Sequence, residues 1–279
     1  MQQCALRVLP RLLASCSSRA SSSVAATRGK AQQQSSAIFS SVRTARNASG
    51  DWSILLDDRP LLSPSSRQPL TARSEALALA VAAEWRTHGR GPPRAHNMPL
   101  TSLCVTAQEQ TQSDRLQVHD TLVSRFFETG DAAAVREDES TPLRRMQDKA
   151  LDPIVDAVER HLIHGSGRIV VSSGGVLGAR QQTLVSMRVM QILGGLSAER
   201  SAAFASIAVA CRSVLLGLAG VHGFVGVEEL LHAARLEESW QEQEWGRVEG
   251  GHDLDEAHIK VQVHAAISFL ELSDAVWER

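Results

Sequence analysis

The sequence predicts an α+β protein, with a small β-rich N-terminal domain followed by a larger all-helical C-terminal domain. Two short apolar runs separated by a turn begin at Trp52, a pattern typical of a β-hairpin. From residue 181 onward the apolar residues recur at helical spacing instead. The composition, 43% hydrophobic and 22% charged, is that of a globular protein.

The first 50 residues differ in composition from the rest of the chain. They contain eleven Ser and seven Arg or Lys and no acidic residue. This composition is typical of an organelle transit peptide. We therefore expect residues 1–50 to be disordered, to direct the chain to an organelle, and to be cleaved somewhere in 28–50. A basic disordered tail and a plastid signal are the alternatives.

The body of the chain is acidic. Seven of the 29 basic residues lie in 1–50, so residues 51–279 hold 22 basic against 31 acidic groups, a formal charge of −9. An acidic body argues against a nucleic-acid interface, which needs a basic face. Only Cys104 and Cys211 lie beyond residue 50, with no C-x-x-C spacing. We expect them to be buried thiols, and predict no disulfide and no thiolate metal site.

Residues 51–130 form the predicted N-terminal domain. Residues 52–64 predict two strands joined by a turn at Asp57–Arg59. An amphipathic helix of about four turns follows, ending at Gly89 and marked by apolar residues at i, i+4 and i+8: Leu77, Val81 and Trp85. The next segments are a loop at Met98–Thr101 and a helix over about 108–128.

Residues 131–279 form the predicted helical domain. The charged stretch 131–145 has no clean period and predicts a connection at the domain boundary. A helix is predicted over 152–164, with Asp152 as its cap and Pro153 at its first position. A lone strand is predicted over 168–172. Further helices are predicted over 181–194, 198–218, 227–248 and 253–275.

The stretch 202–227 is apolar enough to suggest a membrane span. Arg212, His222 and four glycines interrupt it, whereas a span needs about 20 largely uncharged residues. A buried helix followed by a glycine-rich turn is therefore predicted. The glycine spacing matches neither a dinucleotide-binding nor a Walker motif.

A helical wheel of 227–248 places polar residues where apolar ones are expected. Gln241 and Glu238 fall inside the apolar arc and Glu237 lies at its edge. A carboxylate on such a stripe is costly unless it is paired or hydrogen-bonded. The two interpretations are a glutamate satisfied within the fold and a site that a partner completes.

The alternative function from the sequence is a di-iron oxidoreductase built on a helical bundle. The i, i+3 pairs Glu229/His232 and Asp255/His258 have the spacing that such sites use. The wheel places Glu229 and His232 on the polar side, and Asp255 is shorter than the usual Glu. No nucleophile elbow or cysteine nucleophile pattern is present. We therefore predict no catalytic residue, no metal and no cofactor.

Four segments, in order, resemble one known family. They are Leu55–Leu61 (LLDDRPL), Leu79–Trp85 (LAVAAEW), Asn97–Leu103 (NMPLTSL) and Ala234–Gly246 (ARLEESWQEQEWG). The chain resembles, over about residues 52–270, the assembly chaperones for the F1 head of ATP synthase, and among them the member that serves the alpha subunit. Each segment alone is a weak signal, and together they are specific.

The resemblance implies a two-domain matrix chaperone that holds unassembled alpha subunit until beta subunits replace it, with no catalysis. The family's Glu-Glu and Gln correspond to Glu237, Glu238 and Gln241, which become the predicted partner-binding patch. The second predicted contact comprises Met98, Pro99, Leu100 and Thr101. Trp85 is interpreted as a core residue. A generic scaffold inside the organelle is a third possibility.

The chain departs from the family pattern in two places. The family's aromatic and basic strand before Trp52 has no counterpart in Ser40–Gly50. Of the family's motifs after the 108–128 helix, only fragments are present, at Val135–Glu137 and Leu151–Pro153. A divergent lineage accounts for both departures, and a changed partner is the alternative.

Overall fold

The computed structural model describes residues 39–88, 94–138, 140–173, 180–246 and 252–273, except the side chain of His252. A small antiparallel sheet at the N-terminal end is followed mainly by helices. The predicted α+β class is confirmed. Most of the predicted transit peptide, and Gly89, the predicted helix end, lie outside the described residues.

The sheet is built around one central strand. Strand β2 (Trp52–Leu56) pairs with β1 (Val42–Arg46) on one side and with β3 (Arg59–Pro60) and β4 (Thr71–Ala72) on the other, all antiparallel. Asp57 and Asp58 both have positive φ, which is the conformation of a two-residue hairpin turn. The predicted hairpin and turn are confirmed.

Strand β1 corrects the predicted N-terminal boundary. Val42–Arg46 lies within the stretch expected to be disordered, yet it pairs along its whole length with β2. The Asp57 carboxylate accepts hydrogen bonds from the backbone N–H groups of Ser40 and Ser41. The Phe39 ring lies 6.0 Å from that of Trp85. Ordered structure therefore begins by Phe39, and the sequence missed it because β1 has no alternating apolar pattern.

Helix α1 (Glu75–His88) packs on the sheet with Leu77, Val81 and Trp85 buried, as predicted. Its Glu84 carboxylate binds the start of helix α2 (Pro99–Glu109). It accepts hydrogen bonds from the N–H groups of Leu100 (2.7 Å) and Thr101 (2.8 Å). The predicted loop at Met98–Thr101 is therefore wrong: three of its residues begin a helix, and Met98 is buried.

Two further helices begin at other positions than predicted, α3 a few residues later and α4 ten residues earlier. Helix α3 (Gln112–Leu122) is capped by Thr111 and continues through a π-helical turn, Val123–Phe127, and a last turn, Glu128–Gly130. Helix α4 (Pro142–Val158) has Thr141 as its cap, and a π-helical turn, Glu159–Ile163, follows it. Pro153 lies inside α4, so its predicted role as the first helical residue is wrong.

The stretch predicted to be only a connection lies partly in the core. Asp131 and Arg136 are both buried. Strand β5 (Val135–Arg136) pairs in parallel with β6 (Ser172–Ser173), so the strand predicted over 168–172 is shifted toward its C-terminal end. Helix α3 packs against the later helices, so contacts cross the predicted boundary at residue 131.

The helical core contains helices α5 (Thr183–Gly194), α6 (Ala198–Cys211) and α7 (Val214–Val221). The predicted single helix 198–218 is broken at Arg212, which has a left-handed φ of 52°. Helices α6 and α7 pack so closely that a Cβ atom on Gly217 would lie 2.9 Å from the Phe204 ring. The predicted buried helix and following turn are otherwise confirmed. Among the described residues, no helix combines the length and apolar composition that crossing a membrane requires.

The last helices are α8 (Val227–Ala234), α9 (Leu236–Trp245) and α10 (His252–Leu272). The predicted continuous helix 227–248 is broken at Arg235. The Arg235 guanidinium is held by Glu242 at 3.0 Å and by Glu256 of α10 at 3.1 Å. This break changes the direction of every side chain after residue 235 relative to the predicted wheel.

Candidate functional site

A pocket of about 80 Å³ opens where the breaks at Arg212 and Arg235 come together. Helices α4, α6, α8, α9 and α10 each contribute residues to it. Most of its lining residues are apolar in type, polar atoms make up about half of its exposed wall, and its charged members are Arg212, Glu237 and Glu238. The residues that line it are Ala132, Leu151, Ala210, Cys211, Arg212, Ala233, Ala234, Leu236, Glu237, Glu238 and Ile259.

Glu237 and Glu238 stand in the first turn of α9, beside this pocket. Glu237 Oε1 accepts a hydrogen bond from Gln147 Nε2 at 2.8 Å. Burial raises the pKa of Glu237, the neighbouring carboxylates of Glu238 and Glu137 raise it further, and Gln147 and Arg136 act in the opposite direction. Glu237 therefore carries a charge that the fold itself stabilises poorly.

The charge of Glu238 is only weakly compensated. Among the described residues it pairs with Arg212, whose Nη2 lies 3.7 Å from Glu238 Oε1. The Arg212 side chain is 64% exposed and that of Glu238 is 37% exposed. An ion pair of this length and exposure contributes little free energy. The two adjacent carboxylates thus present a largely unneutralised negative charge at the pocket.

The support beneath Glu237 was not predicted from the sequence. Gln147 is buried in α4, and its Oε1 accepts a hydrogen bond from the Glu137 N–H at 2.7 Å. Its amide is therefore held in place with Nε2 directed at Glu237. The sequence did carry a signal, because Gln147, Leu151, Ile154 and Val158 recur at helical spacing on the buried face of α4.

The fully buried Arg136 holds the neighbouring segment together. Its guanidinium donates to the carbonyl of Ala133 at 2.7 Å and to Asp152 at 2.9 Å. The carboxylate of Asp148 lies 3.5 Å from its Nε. Because these partners lie within the fold, Arg136 influences the pKa of Glu237 without forming a direct ion pair with it.

The other predicted contact residues lie elsewhere. Gln241 is exposed and does not line the pocket. Pro99, Leu100 and Thr101 form the first turn of α2, held by Glu84, and Met98 is buried beneath them. The structure therefore places two of the seven predicted residues, Glu237 and Glu238, at the pocket.

The residues of the di-iron hypothesis do not come together in the interior. Glu229, His232, Asp255 and His258 all have exposed side chains. Glu229 Oε2 accepts a hydrogen bond from the Gly226 N–H at 2.8 Å, which is a helix-capping role. Over the described ranges, no three His, Cys, Asp or Glu side chains are grouped to hold a metal ion.

Cys104 and Cys211 are free and buried, as predicted. Burial raises the pKa of Cys211 to about 12, and the pKa of Cys104 is raised still further by the same cause. Both side chains are therefore thiols at neutral pH, and a thiol is a poor nucleophile and metal ligand. Cys211 contributes to the pocket as a small apolar side chain.

Comparison with known proteins agrees with this description. Residues 38–159 match the model of the ATP12 chaperone protein family. The mitochondrial protein atp12 of Schizosaccharomyces pombe is 25% identical over 218 residues, covering 76% of this chain and 74% of that protein. The mitochondrial ATP12 of Saccharomyces cerevisiae is 21% identical over 253 residues, covering 78% of each chain.

The fold has a counterpart among solved structures. The crystal structure of Atp12 from Paracoccus denitrificans superposes with a TM-score of 0.72 and 26% identity, covering 87% of this chain and all of that one. The two curated relatives are mitochondrial proteins, which supports a mitochondrial location here. Sequence motifs, the family match over residues 38–159 and the fold agree in relating this chain to the ATP12 chaperone family.

Proposed function

We propose that this protein is an assembly chaperone of the mitochondrial matrix that binds unassembled F1 alpha subunit of ATP synthase and prevents its aggregation until the F1 head forms. The chaperone family supports the function class, and the resemblance of the four motifs supports the alpha subunit as the partner. The observation that carries the proposal is the pocket beside Glu237 and Glu238, because the motif linked to the partner contributes residues directly to it.

Binding alone is sufficient for this activity. An unassembled subunit exposes apolar surface that its neighbours cover in the finished complex, and such surface drives aggregation. A chaperone that covers it lowers the concentration of the aggregation-prone form by mass action. No bond is made or broken, and release follows when a beta subunit competes for the same surface.

The carboxylates of Glu237, which is exposed, and Glu238, which is half-buried, suit a contact that must be reversible. Electrostatic complementarity sets partner choice and association rate more than raw affinity. Glu237 and Glu238 can therefore select the correct subunit while the small pocket limits the apolar area that must be uncovered again on release.

An aggregation assay tests the proposal. Chemically unfolded F1 alpha subunit is diluted into buffer with the equimolar full-length chain, and light scattering is followed over time. We expect the chain to suppress scattering from the alpha subunit and to leave scattering from the beta subunit unchanged. Glu237→Lys should lose most of this protection, because reversing a charge at a desolvated contact costs on the order of 2–5 kcal/mol.

The matched control is Glu244→Lys, the same change on the same helix at an exposed position outside the pocket. It should protect as well as the native chain. Thermal melts of both variants separate loss of binding from loss of folding. Equal scattering with and without the native chain contradicts the alpha-subunit proposal.

A further inference from the structure

We infer that the pocket beside Glu237 and Glu238 receives the side chain of a single Lys or Arg from the partner, with the aliphatic part inside and the cation at the two carboxylates. This inference rests on the proposed function and specifies the chemistry of its contact.

The size of the pocket fits one long side chain. A volume of about 80 Å³ corresponds to roughly five or six water-sized groups. A Lys side chain, with four carbons and one nitrogen, needs about that space. A helix or strand of a partner needs a groove many times larger, so the pocket takes one side chain and not an element of secondary structure.

The wall suits a side chain with an aliphatic stem. Leu151, Leu236 and Ile259 are buried and line the pocket together with several alanines. The alkyl stems of Lys and Arg bury well against such surface while their charged ends stay at a polar rim. Polar groups along the whole side chain, as in Asn or Gln, would lose hydrogen bonds to water in this wall.

The charges exclude anionic and purely apolar occupants. Glu237 and Glu238 both line the pocket, and a carboxylate or phosphate placed beside them would be repelled. A Leu or Phe side chain would remove water from the two carboxylates without pairing them, which is costly. A cation lowers the free energy of both carboxylates when water is excluded, and does so more strongly than a neutral donor.

Within the described part of the chain, no cation already fills this role. The guanidinium of Arg136 is engaged with Asp152 and with backbone carbonyls. Arg212 reaches only to 3.7 Å from Glu238, from an exposed position. The neutral amide of Gln147 is the hydrogen-bond donor to Glu237 from below, which leaves the rest of that carboxylate for a partner.

The test measures the dissociation constant between the full-length chain and purified F1 alpha subunit for two kinds of variant. Glu237→Gln combined with Glu238→Gln removes the charge and keeps the shape. Ala132→Phe, at an exposed position on the pocket rim, blocks entry and keeps the charge. Each should weaken binding at least about 30-fold, which corresponds to the lower range for truncating one partner of a desolvated charge pair.

The matched controls are Glu244→Gln and Ala257→Phe, which make the same changes at exposed positions outside the pocket. Both should bind like the native chain. Thermal melts identify any variant that does not fold, and Ala132→Leu replaces Ala132→Phe if the larger side chain unfolds the protein.

The outcomes separate this inference from the proposed function. If the native chain binds alpha subunit and both pocket variants bind equally well, the inference is overturned and the proposed function stands. If only the neutralised variant is weakened, the carboxylates act at the surface and nothing enters the pocket. If only Ala132→Phe is weakened, the occupant is apolar. If the native chain does not bind alpha subunit, both fail together.

Discussion

Asp131 is buried whereas Glu237 is exposed beside the pocket, and the fold satisfies the two carboxylates to different degrees. Asp131 is fully buried and accepts hydrogen bonds from the Ser213 hydroxyl and from the N–H groups of Ala133, Val214 and Leu215. Glu237 accepts one, from Gln147, and faces the negative charge of Glu238. Burial raises the pKa of both.

The comparison distinguishes a carboxylate that stabilises the fold, Asp131, from one that is available to bind a partner, Glu237. The donors around Asp131 include the first N–H groups of α7, where a helix favours negative charge. They lower its pKa against the effect of burial. Among the described residues Glu237 accepts from Gln147 alone, so the repulsion from Glu238 persists until a partner provides a compensating group.

The largest expected effect is at Asp131. Asp131→Ala leaves four donors in the core without their acceptor, and we expect a loss of about 3–5 kcal/mol in the free energy of unfolding. Denaturant unfolding measures it. The control Asp120→Ala, at an exposed position on α3, should change stability by less than about 0.5 kcal/mol. A small loss of unfolding free energy in Asp131→Ala would mean that the Asp131 carboxylate is no more important for stability than that of Glu237.

His119 is an intermediate case, a buried group that is only half satisfied. Its Nε2 lies 2.7 Å from the Ser201 hydroxyl, whereas its Nδ1 has no hydrogen-bond partner. Burial, and then the charge of Arg115, lower its pKa from 6.5 to about 4. Because the folded state binds this proton more weakly, the associated stability is complete above pH 6.5 and is lost as the pH falls toward 4.

We expect this loss to reach about 3 kcal/mol. Unfolding free energies measured between pH 7 and 4 for the native chain and for His119→Gln isolate it, because the carboxylates titrate in both. The variant should show a shallower pH dependence. His258→Gln, at an exposed position, should keep the native slope. Parallel curves for His119→Gln and the native chain would contradict the assignment.

A smaller effect is expected at Ser213, the cap of α7. Its hydroxyl donates to Asp131 and accepts from the Leu216 N–H at 2.9 Å. Ser213→Ala should cost about 1–2 kcal/mol in the free energy of unfolding, because it removes one donor and the helix cap inside the core. Ser197→Ala, at the exposed cap of α6, is the comparison and should cost less. Equal losses would show that burial adds nothing to the cap.

The smallest effect on stability is expected at Glu237. Glu237→Gln removes a charge that burial and Glu238 disfavour, so the melting temperature at pH 7 should stay the same or rise slightly. Because the pKa of Glu237 is raised, its charged form destabilises the fold at pH values above that pKa. Below the ordinary value of 4.5 the carboxyl is protonated in the folded and the unfolded state, so the difference in stability between the variant and the native chain disappears. Melting curves at pH 7 and pH 4 test this. A clear fall in the melting temperature at pH 7 would mean that the Glu237 carboxylate stabilises the fold.

The sequence predicted local features well and helix breaks poorly. The hairpin turn at Asp57 and Asp58 and the buried face of α1 followed directly from residue pattern. The breaks at Arg212 and Arg235 did not, because neither position carries a Gly or Pro that would mark it. At the Arg235 break the guanidinium pairs with Glu242 and with Glu256 of the following helix, which the pattern of one segment does not reveal.

In the candidate site, too, the sequence predicted what depends on a local pattern and missed what depends on where helices begin and break. The wheel found Glu237 and Glu238 because a carboxylate on an apolar face is unusual on any helix. It misplaced Gln241, since the wheel assumed one continuous helix through Arg235. It missed Gln147 because the predicted helix began at Asp152, and the true cap, Thr141, lies in a charged stretch that resembles a linker.

By itself the sequence determined the α+β class, the core face of α1, the buried thiols and the acidic pair at 237 and 238. These depend on local pattern and composition. Only the tertiary structure decided that Val42–Arg46 is a strand, that Glu84 caps α2, that Asp131 anchors α7, and that the two glutamates meet a pocket. Each of these joins residues far apart in the chain. Periodicity within one segment carries no information about which distant group will satisfy a buried charge or an unpaired backbone N–H.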